Sequence, residues 1–149
     1  MKVLVDTNIF VASMRFAGLK RKLVWKLLEE GEVIVLTDFI LEELRRKFSE
    51  LYTPVEVQAA LDNLLQFLGT GQLEIKRFKD YAQHLPEAEQ LIQAKDAPIL
   101  AAAMLSDIDI LLTRDKQDFL ENEKLQQTSW MAKIKSPQEL LSLLGGDED

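Results

Sequence analysis

Apolar positions along this chain switch between a short, continuous spacing and a helical one. Lys2-Val3-Leu4-Val5 is a brief apolar run that stops at Asp6, and a run of that length bounded by polar residues reads as a buried strand. The pattern returns in Val33-Ile34-Val35-Leu36 ahead of Thr37-Asp38, and in Ile108-Asp109-Ile110-Leu111-Leu112 ahead of Thr113-Arg114-Asp115. Between these runs the spacing lengthens to that of amphipathic helices. Helices are expected over 7–12, over 20–30 with Leu23, Leu27 and Leu28 inward, over 38–51, and over 54–68. Gly31 closes the second of these as a helix-terminating glycine, and Gly69-Thr70-Gly71 breaks the fourth. Leu73-Glu74-Ile75 predicts another strand, followed by a helix over 81–94 that Pro86 either interrupts or starts. Asp96-Ala97-Pro98 opens a helix to about Ser106, because proline is tolerated in a first turn. A final strand over 130–134 and a final helix from Pro137 to Leu144 complete the pattern.

Strands that alternate with helices predict a parallel sheet covered on both faces, a three-layer α/β/α domain. No repeat, low-complexity linker or break divides the chain, so one domain is expected over 1–144, with an acidic, frayed tail over 145–149. Ligands of such sheets bind in the crevice beyond the carboxyl ends of the strands. Three of the predicted strands deliver acids to that edge.

Composition narrows the chemistry. The chain has 149 residues, 47% hydrophobic and 29% charged, with no cysteine and a single histidine, His84. Disulfides and thiolate zinc sites are thereby excluded, a histidine-based metal site or Ser-His triad is disfavoured, and a reducing cytoplasm is the expected location. No apolar run approaches a membrane span, and the start of the chain lacks a secretory pattern. The net charge of −7 argues against a general polyanion binder, unless metal ions bridge its carboxylates to phosphates.

Each acid has a structural use and a chemical one. Asp6 would equally serve as an N-cap. Helix 38–51 carries the apolar stripe Ile40, Leu41, Leu44, Phe48 and Leu51. At roughly 100° per residue, Glu43 lies roughly 100° from the centre of that stripe and Glu42 roughly 160°. Glu43 therefore flanks the buried side, where it meets a crevice or pairs with Lys47; Glu42 is solvated. Asp96 shares a face with Leu100 and Ala103, so it begins on the buried side and needs partners, or else caps its helix. Asp115 and Asp118, three apart after a strand, are further acids, Asp115 the better placed. Asn8 and Thr113 would orient these acids or a water, or form turns. Four carboxylates close together repel strongly. A hard divalent cation relieves that repulsion, and an all-oxygen shell favours Mg²⁺ or Mn²⁺. Metal-dependent phosphodiester hydrolysis is the chemistry such a site offers.

Taken in order, Val3-Leu4-Val5-Asp6-Thr7-Asn8, Leu41-Glu42-Glu43-Leu44, Asp96-Ala97-Pro98-Ile99-Leu100, and Leu111-Leu112-Thr113-Arg114-Asp115-Lys116-Gln117-Asp118-Phe119 resemble the PIN domain. The resemblance extends to the closing Ser136-Pro137-Gln138-Glu139-Leu140-Leu141. It implies a parallel sheet with flanking helices and a site that cleaves single-stranded RNA with Mg²⁺ or Mn²⁺. It assigns catalysis and metal binding to Asp6, Glu43, Asp96 and Asp115, with Asp118 a frequent fifth ligand. Many small members are VapC-type toxins, which implies a cognate antitoxin as partner beside the RNA substrate.

Three rivals share parts of this pattern. A phosphoacceptor receiver domain needs adjacent acids after the first strand, where Thr7-Asn8 stands, and a lysine after a late strand, whereas Lys116 lies inside the acidic turn. A haloacid-dehalogenase-type phosphatase needs aspartate at position 8, where Asn8 stands. A non-catalytic module that keeps the fold for protein contacts is the third. Lys20-Arg21-Lys22, Arg45-Arg46-Lys47 and Lys76-Arg77 read as solvated faces, with Arg15, Arg45, Arg46 and Arg114 nearest the acids for flanking phosphates. Helices 20–30 and 54–68 supply core packing first. Their other use is a surface for an antitoxin or a second copy, and a homodimer or larger assembly is expected.

Overall fold

The computed structural model describes residues 1–15 and 18–145. Residues 16–17 and the expected tail from 146 onward lie outside the described residues, as do the side chains of Arg15 and of residues 61, 63–65, 67 and 68, on which much of the packing or partner surface expected of helix 54–68 falls. Five strands form one wholly parallel sheet: β1 Lys2–Val5, β2 Val33–Thr37, β3 Leu73–Lys76, β4 Ile110–Leu112 and β5 Ile134–Lys135. Their order across the sheet is β3-β2-β1-β4-β5. Val3 sits opposite both Ile34 and Ile110, which fixes the register of the three central strands. Val3, Leu4, Val5, Val35, Leu36, Leu111 and Leu112 are fully buried. Burial on both faces is why these strands read as continuous apolar runs rather than alternating ones.

Helices link the strands: α1 Thr7–Arg15 and α2 Leu19–Glu29, then α3 Asp38–Leu51 and α4 Pro54–Thr70, then α5 Phe78–Tyr81, α6 Leu85–Leu91 and α7 Ala97–Ala103. The first two connections run one way across the sheet and the third returns over it; the right-handed rule for parallel strands then puts helices on both faces. The short α8 Glu123–Gln126 and the closing α9 Pro137–Leu143 follow β4 and β5, and α9 packs on α2. The result is the expected three-layer α/β/α arrangement.

Local signals account for most boundaries. At the end of α2, Gly31 adopts φ 75°, its N–H donates to Leu28 O, and the N–H of Glu32 donates to Leu27 O. Paired bonds of that kind need a left-handed residue, which glycine supplies without steric cost. Thr37 caps α3 by accepting from the Ile40 N–H at 3.0 Å. Ser136 and Glu139 form a reciprocal capping box ahead of α9.

Three expectations need correction. The helix over 81–94 is divided into α5, a 3₁₀ turn at Ala82–His84 and α6, which opens with Pro86 in its first turn and stops where Ile92 turns extended. The helix from Asp96 ends at Ala103 rather than near Ser106, where Lys133 Nζ donates to the carbonyls of Ala103 and Leu105. The strand expected over 130–134 is mostly a 3₁₀ turn, Ser129–Lys133, and only Ile134–Lys135 joins the sheet. Trp130 has strand-like character, but its indole N–H donates to Glu87 at 2.9 Å, and that long-range bond holds the segment off the sheet.

Candidate active site

The carboxyl edges of β1 and β4, neighbours at the centre of the sheet, create the site. It is here that the strand order reverses direction, the position at which open α/β sheets open a crevice. Asp6 follows β1 directly, and its backbone N–H donates to Leu112 O at 3.0 Å, which fastens the two strand ends together. Asp6 is 8% exposed, and its carboxylate accepts from Thr113 Oγ1 at 2.8 Å. Thr113 Oγ1 in turn accepts from the backbone N–H of Asp115 at 3.1 Å, and Asp115 Oδ1 accepts from the N–H of Asp118 at 3.1 Å. A single chain of hydrogen bonds thus orients the carboxylates of Asp6 and Asp115 and ties the backbone of Asp118 to them.

Asp118 is held by a π-helical turn, Lys116–Leu120, in which Leu120 N–H donates to Asp115 O and Glu121 N–H to Lys116 O. Such five-residue turns recur at functional sites. Asn122 secures the turn by donating to Asp118 O and to Leu91 O at the end of α6. Asp118 is only 4% exposed, more enclosed than Asp115, which the sequence ranked above it. Asp96, Asp115 and Asp118 each place a carboxylate oxygen so that all three lie within 4.8 Å of one another. Asp96 makes no side-chain capping bond to α7. The capping role open to it in the sequence is therefore not taken, and its carboxylate is left facing the other acids.

Glu43 and Glu42 part company as the helical wheel requires. Glu43 turns inward and accepts from Thr7 Oγ1 at 2.5 Å, while exposed Glu42 pairs with Arg45. Among the described residues no ion pair joins Glu43 to Lys47, the other partner α3 offers it. A cleft of about 200 Å³ opens between these elements, with Asp6, Glu43, Asp96 and Asp115 on its wall. Thr7, Asn8, Lys47 and Lys95 complete the lining. Of the arginines nearest in sequence, Arg45 is committed to Glu42, neither Arg46 nor Arg114 is among the described residues that line the cleft, and the side chain of Arg15 lies outside the described residues. Thr7, Lys47 and Lys95 are not among the site residues expected from the sequence, where Lys47 figures only as a surface partner for Glu43. Helical phase places Lys47 beside Glu43 and adjacency places Lys95 beside Asp96, but neither signal says that the cleft is there.

Crowding shows in the acids' proton affinities. Burial, reinforced by the charges of Glu43 and Asp115, lifts Asp6 to about 6 against the pull of its hydrogen bonds from Thr113 and the Thr7 backbone. Burial, followed by the adjacent Asp118 and then Asp115 and Asp6, pushes Asp96 up to about 8. Groups whose charges are held together against their own solvation are poised for a cation. His84 packs on Trp130, with ring centroids 6.5 Å apart, and does not line the cleft.

Fold and cleft together define a parallel α/β/α protein with a carboxylate-lined crevice at the switch point of its sheet. The chain belongs to the PIN-domain family, whose profile, described as PIN domain, matches residues 2–117. Among curated protein sequences none matches this chain. Its fold is similar to that in the crystal structure of VapBC2 from Rickettsia felis bound to a DNA fragment from their promoter, with TM-score 0.62, 23% identity, and coverage of 91% of this chain and 98% of that one. A toxin–antitoxin complex from Klebsiella pneumoniae gives TM-score 0.62 at 19% identity over 92% and 98% of the two chains. FitAcB from Neisseria gonorrhoeae gives 0.62 at 19% over 91% and 97%. Among the described residues no helix is long and apolar enough to cross a membrane.

Proposed function

We propose that this chain is a divalent-metal-dependent ribonuclease that hydrolyses phosphodiester bonds of single-stranded RNA, and that it is the toxin of a pair with a cognate antitoxin. The observation that carries this reading is the convergence of Asp96, Asp115 and Asp118 oxygens within 4.8 Å, beside Asp6 and Glu43, in one cleft at the sheet edge. The donor set fits a hard divalent cation: every donor is a carboxylate oxygen, and the raised proton affinities of Asp6 and Asp96 mark negative charge that the protein itself leaves unneutralised. Asp6, Glu43, Asp96, Asp115 and Asp118 would hold Mg²⁺ or Mn²⁺. Such an ion, once bound, lowers the pKa of a water and neutralises charge on a phosphate.

The chain's own contributions are positioning and proton affinity. Thr113 fixes the rotamer of Asp6, Thr7 that of Glu43, and Asn8 offers an uncharged amide to a water or a phosphate oxygen. With no cysteine and His84 away from the cleft, water is the nucleophile and no covalent enzyme intermediate forms. The antitoxin is supported by the fold neighbours, which include VapBC2 and a further toxin–antitoxin complex. Two copies of the chain are expected to associate.

The test is cleavage of labelled single-stranded RNA by wild type and Asp6→Asn, in EDTA and in Mn²⁺. Cleavage should need Mn²⁺ or Mg²⁺ and Asp6. Undiminished cleavage in EDTA would sink the metal mechanism, and a wild type inert under all conditions would favour a non-catalytic, protein-binding role.

A further inference from the structure

Two basic side chains share the cleft with the acids. Lys47 stands on α3 one turn beyond Glu43, and Lys95 stands between α6 and α7 immediately before Asp96. They come from the two segments that also supply Glu43 and Asp96.

What sets them apart is that they stand among carboxylates and still pair with none. Glutamate followed four residues later by lysine is the favoured helical order for an ion pair. Glu43 instead takes its hydrogen bond from Thr7, and among the described residues neither Lys47 nor Lys95 closes a salt bridge with any carboxylate. Four other side-chain cations do close such pairs: Lys2 with Glu74 and Asp107, Lys26 with Glu30, Lys76 with Glu74 and Asp107, and Arg45 with Glu42. The two lysines beside the densest group of acids keep their ammonium groups free.

Charge gives these groups a use. Four carboxylates line the cleft, and one divalent cation offsets only half of their charge. A phosphodiester strand would still approach a negative surface, and like charges so placed slow association and oppose binding. With Asp118 also beside these acids, two ammonium groups in the cleft offset part of the charge that remains and offer donors to phosphate oxygens. Lysine suits this task as a point charge on a flexible stem that follows a phosphate without demanding one orientation.

We infer that Lys47 and Lys95 are substrate-positioning residues that hold the backbone phosphates on either side of the one being cleaved. This rests on the nuclease reading above. Contacts of that kind set the register of a strand and carry no sequence information, so the pair acts on single-stranded RNA of any sequence.

The experiment follows cleavage of a labelled single-stranded oligoribonucleotide by the Mn²⁺-loaded full chain across a KCl series. It compares wild type, Lys47→Gln/Lys95→Gln, the corresponding double arginine variant, and Arg45→Gln, which removes one charge outside the cleft. Each phosphate contact on a single strand contributes about 0.7 to the slope of log affinity against log salt. The double glutamine variant should therefore lose about 1.4 of the slope in log kcat/KM. Its KM should rise about fivefold per lysine near 0.1 M salt and scarcely at 1 M, with a smaller change in kcat. The arginine variant should retain the slope, Arg45→Gln should leave it unaltered, and the rise in Tm caused by Mn²⁺ should persist in all of them. An active double glutamine variant with the wild-type slope would overturn the inference. So would an equal loss in Arg45→Gln, which would reduce the effect to general charge, or loss of the Mn²⁺-induced rise in Tm, which would assign the lysines to the acid site itself. A wild type that cleaves no RNA with Mn²⁺ would instead overturn the nuclease reading, and the inference with it.

Discussion

Asp6→Asn should make the metal-free protein more stable at neutral pH, even though it removes an acid from the centre of the cleft. Asp6 is 8% exposed, and burial, with Glu43 and Asp115 near it, raises its pKa from 3.8 to about 6. A group whose folded pKa exceeds its unfolded one contributes its full stability below the unfolded value and loses it as the pH climbs through the folded value. The window runs from about pH 4 to about pH 6. Two pKa units at about 1.36 kcal/mol each leave the folded state about 3 kcal/mol poorer by pH 7. Asparagine has the same shape, keeps an oxygen for the Thr113 hydroxyl, and never ionises, so it escapes that loss. Wild type and variant should unfold together near pH 4 in EDTA. By pH 7 the variant should lead by about 3 kcal/mol, or about 6–12 °C in Tm for a domain of this size. Because only the difference between the two proteins is read, acids remote from the cleft cancel, while Asp96, which the charge of Asp6 helps to raise, is relieved in the variant and adds to its lead. Mn²⁺ at a hundredfold excess over its Kd adds about 2.7 kcal/mol to the wild type and should nearly close the gap. The assay is urea unfolding by circular dichroism between pH 4 and 7.5, in EDTA and in Mn²⁺. A variant less stable than wild type at pH 7, with a difference that does not vary with pH, would make Asp6 a structural cap and refute the crowding of charge.

Three further outcomes follow from the same geometry. Glu43→Gln should lose most RNA cleavage, while Glu42→Gln, which disturbs only an exposed pair with Arg45, should change it by less than about twofold; equal losses in a kinetic comparison would contradict the placement of Glu43. Thr7→Val removes the donor at 2.5 Å from Glu43 and should reduce activity roughly 10–100-fold, as loss of a ligand-orienting partner does, with the Mn²⁺ midpoint in a thermal-shift titration moving in step. Co-expression with the neighbouring gene should yield a complex in which RNA cleavage is suppressed, and an active nuclease after copurification would count against occlusion of the cleft by an antitoxin.

How far the sequence could be read depended on how local each cause is. The buried strands announced themselves because Val3, Leu4 and Val5 have no exposed face, and the split between Glu42 and Glu43 followed from one helix's own periodicity. Gly31 and Ser136 acted within a few residues of themselves. By contrast, Asp6 and Thr113 are joined across 107 positions, and no pattern in either neighbourhood states that they meet. The enclosure of Asp118 is set by a π-helical turn and by Asn122 reaching Leu91, so spacing alone ranked it below Asp115. Trp130 looked like strand until its bond to Glu87 was in view. Lys47 and Lys95 carried no mark of their place in the cleft, because being unpaired is a property of the assembled surroundings.

The strand order also governs how the molecule can be put together as it is made. In chain order, β1 is followed by its neighbour β2, β3 lies on the outer side of β2, and β4 and β5 lie in turn beyond β1. No strand has to force its way between two that are already paired, so growth at a free edge suffices throughout. Until β4 is synthesised, however, β1 presents a bare row of backbone groups flanked by Val3, Leu4 and Val5, the kind of edge onto which another chain can add. The strand that seals this edge is the one that carries Thr113 and Asp115 to Asp6. Chemical competence and protection from self-association therefore arrive in the same step.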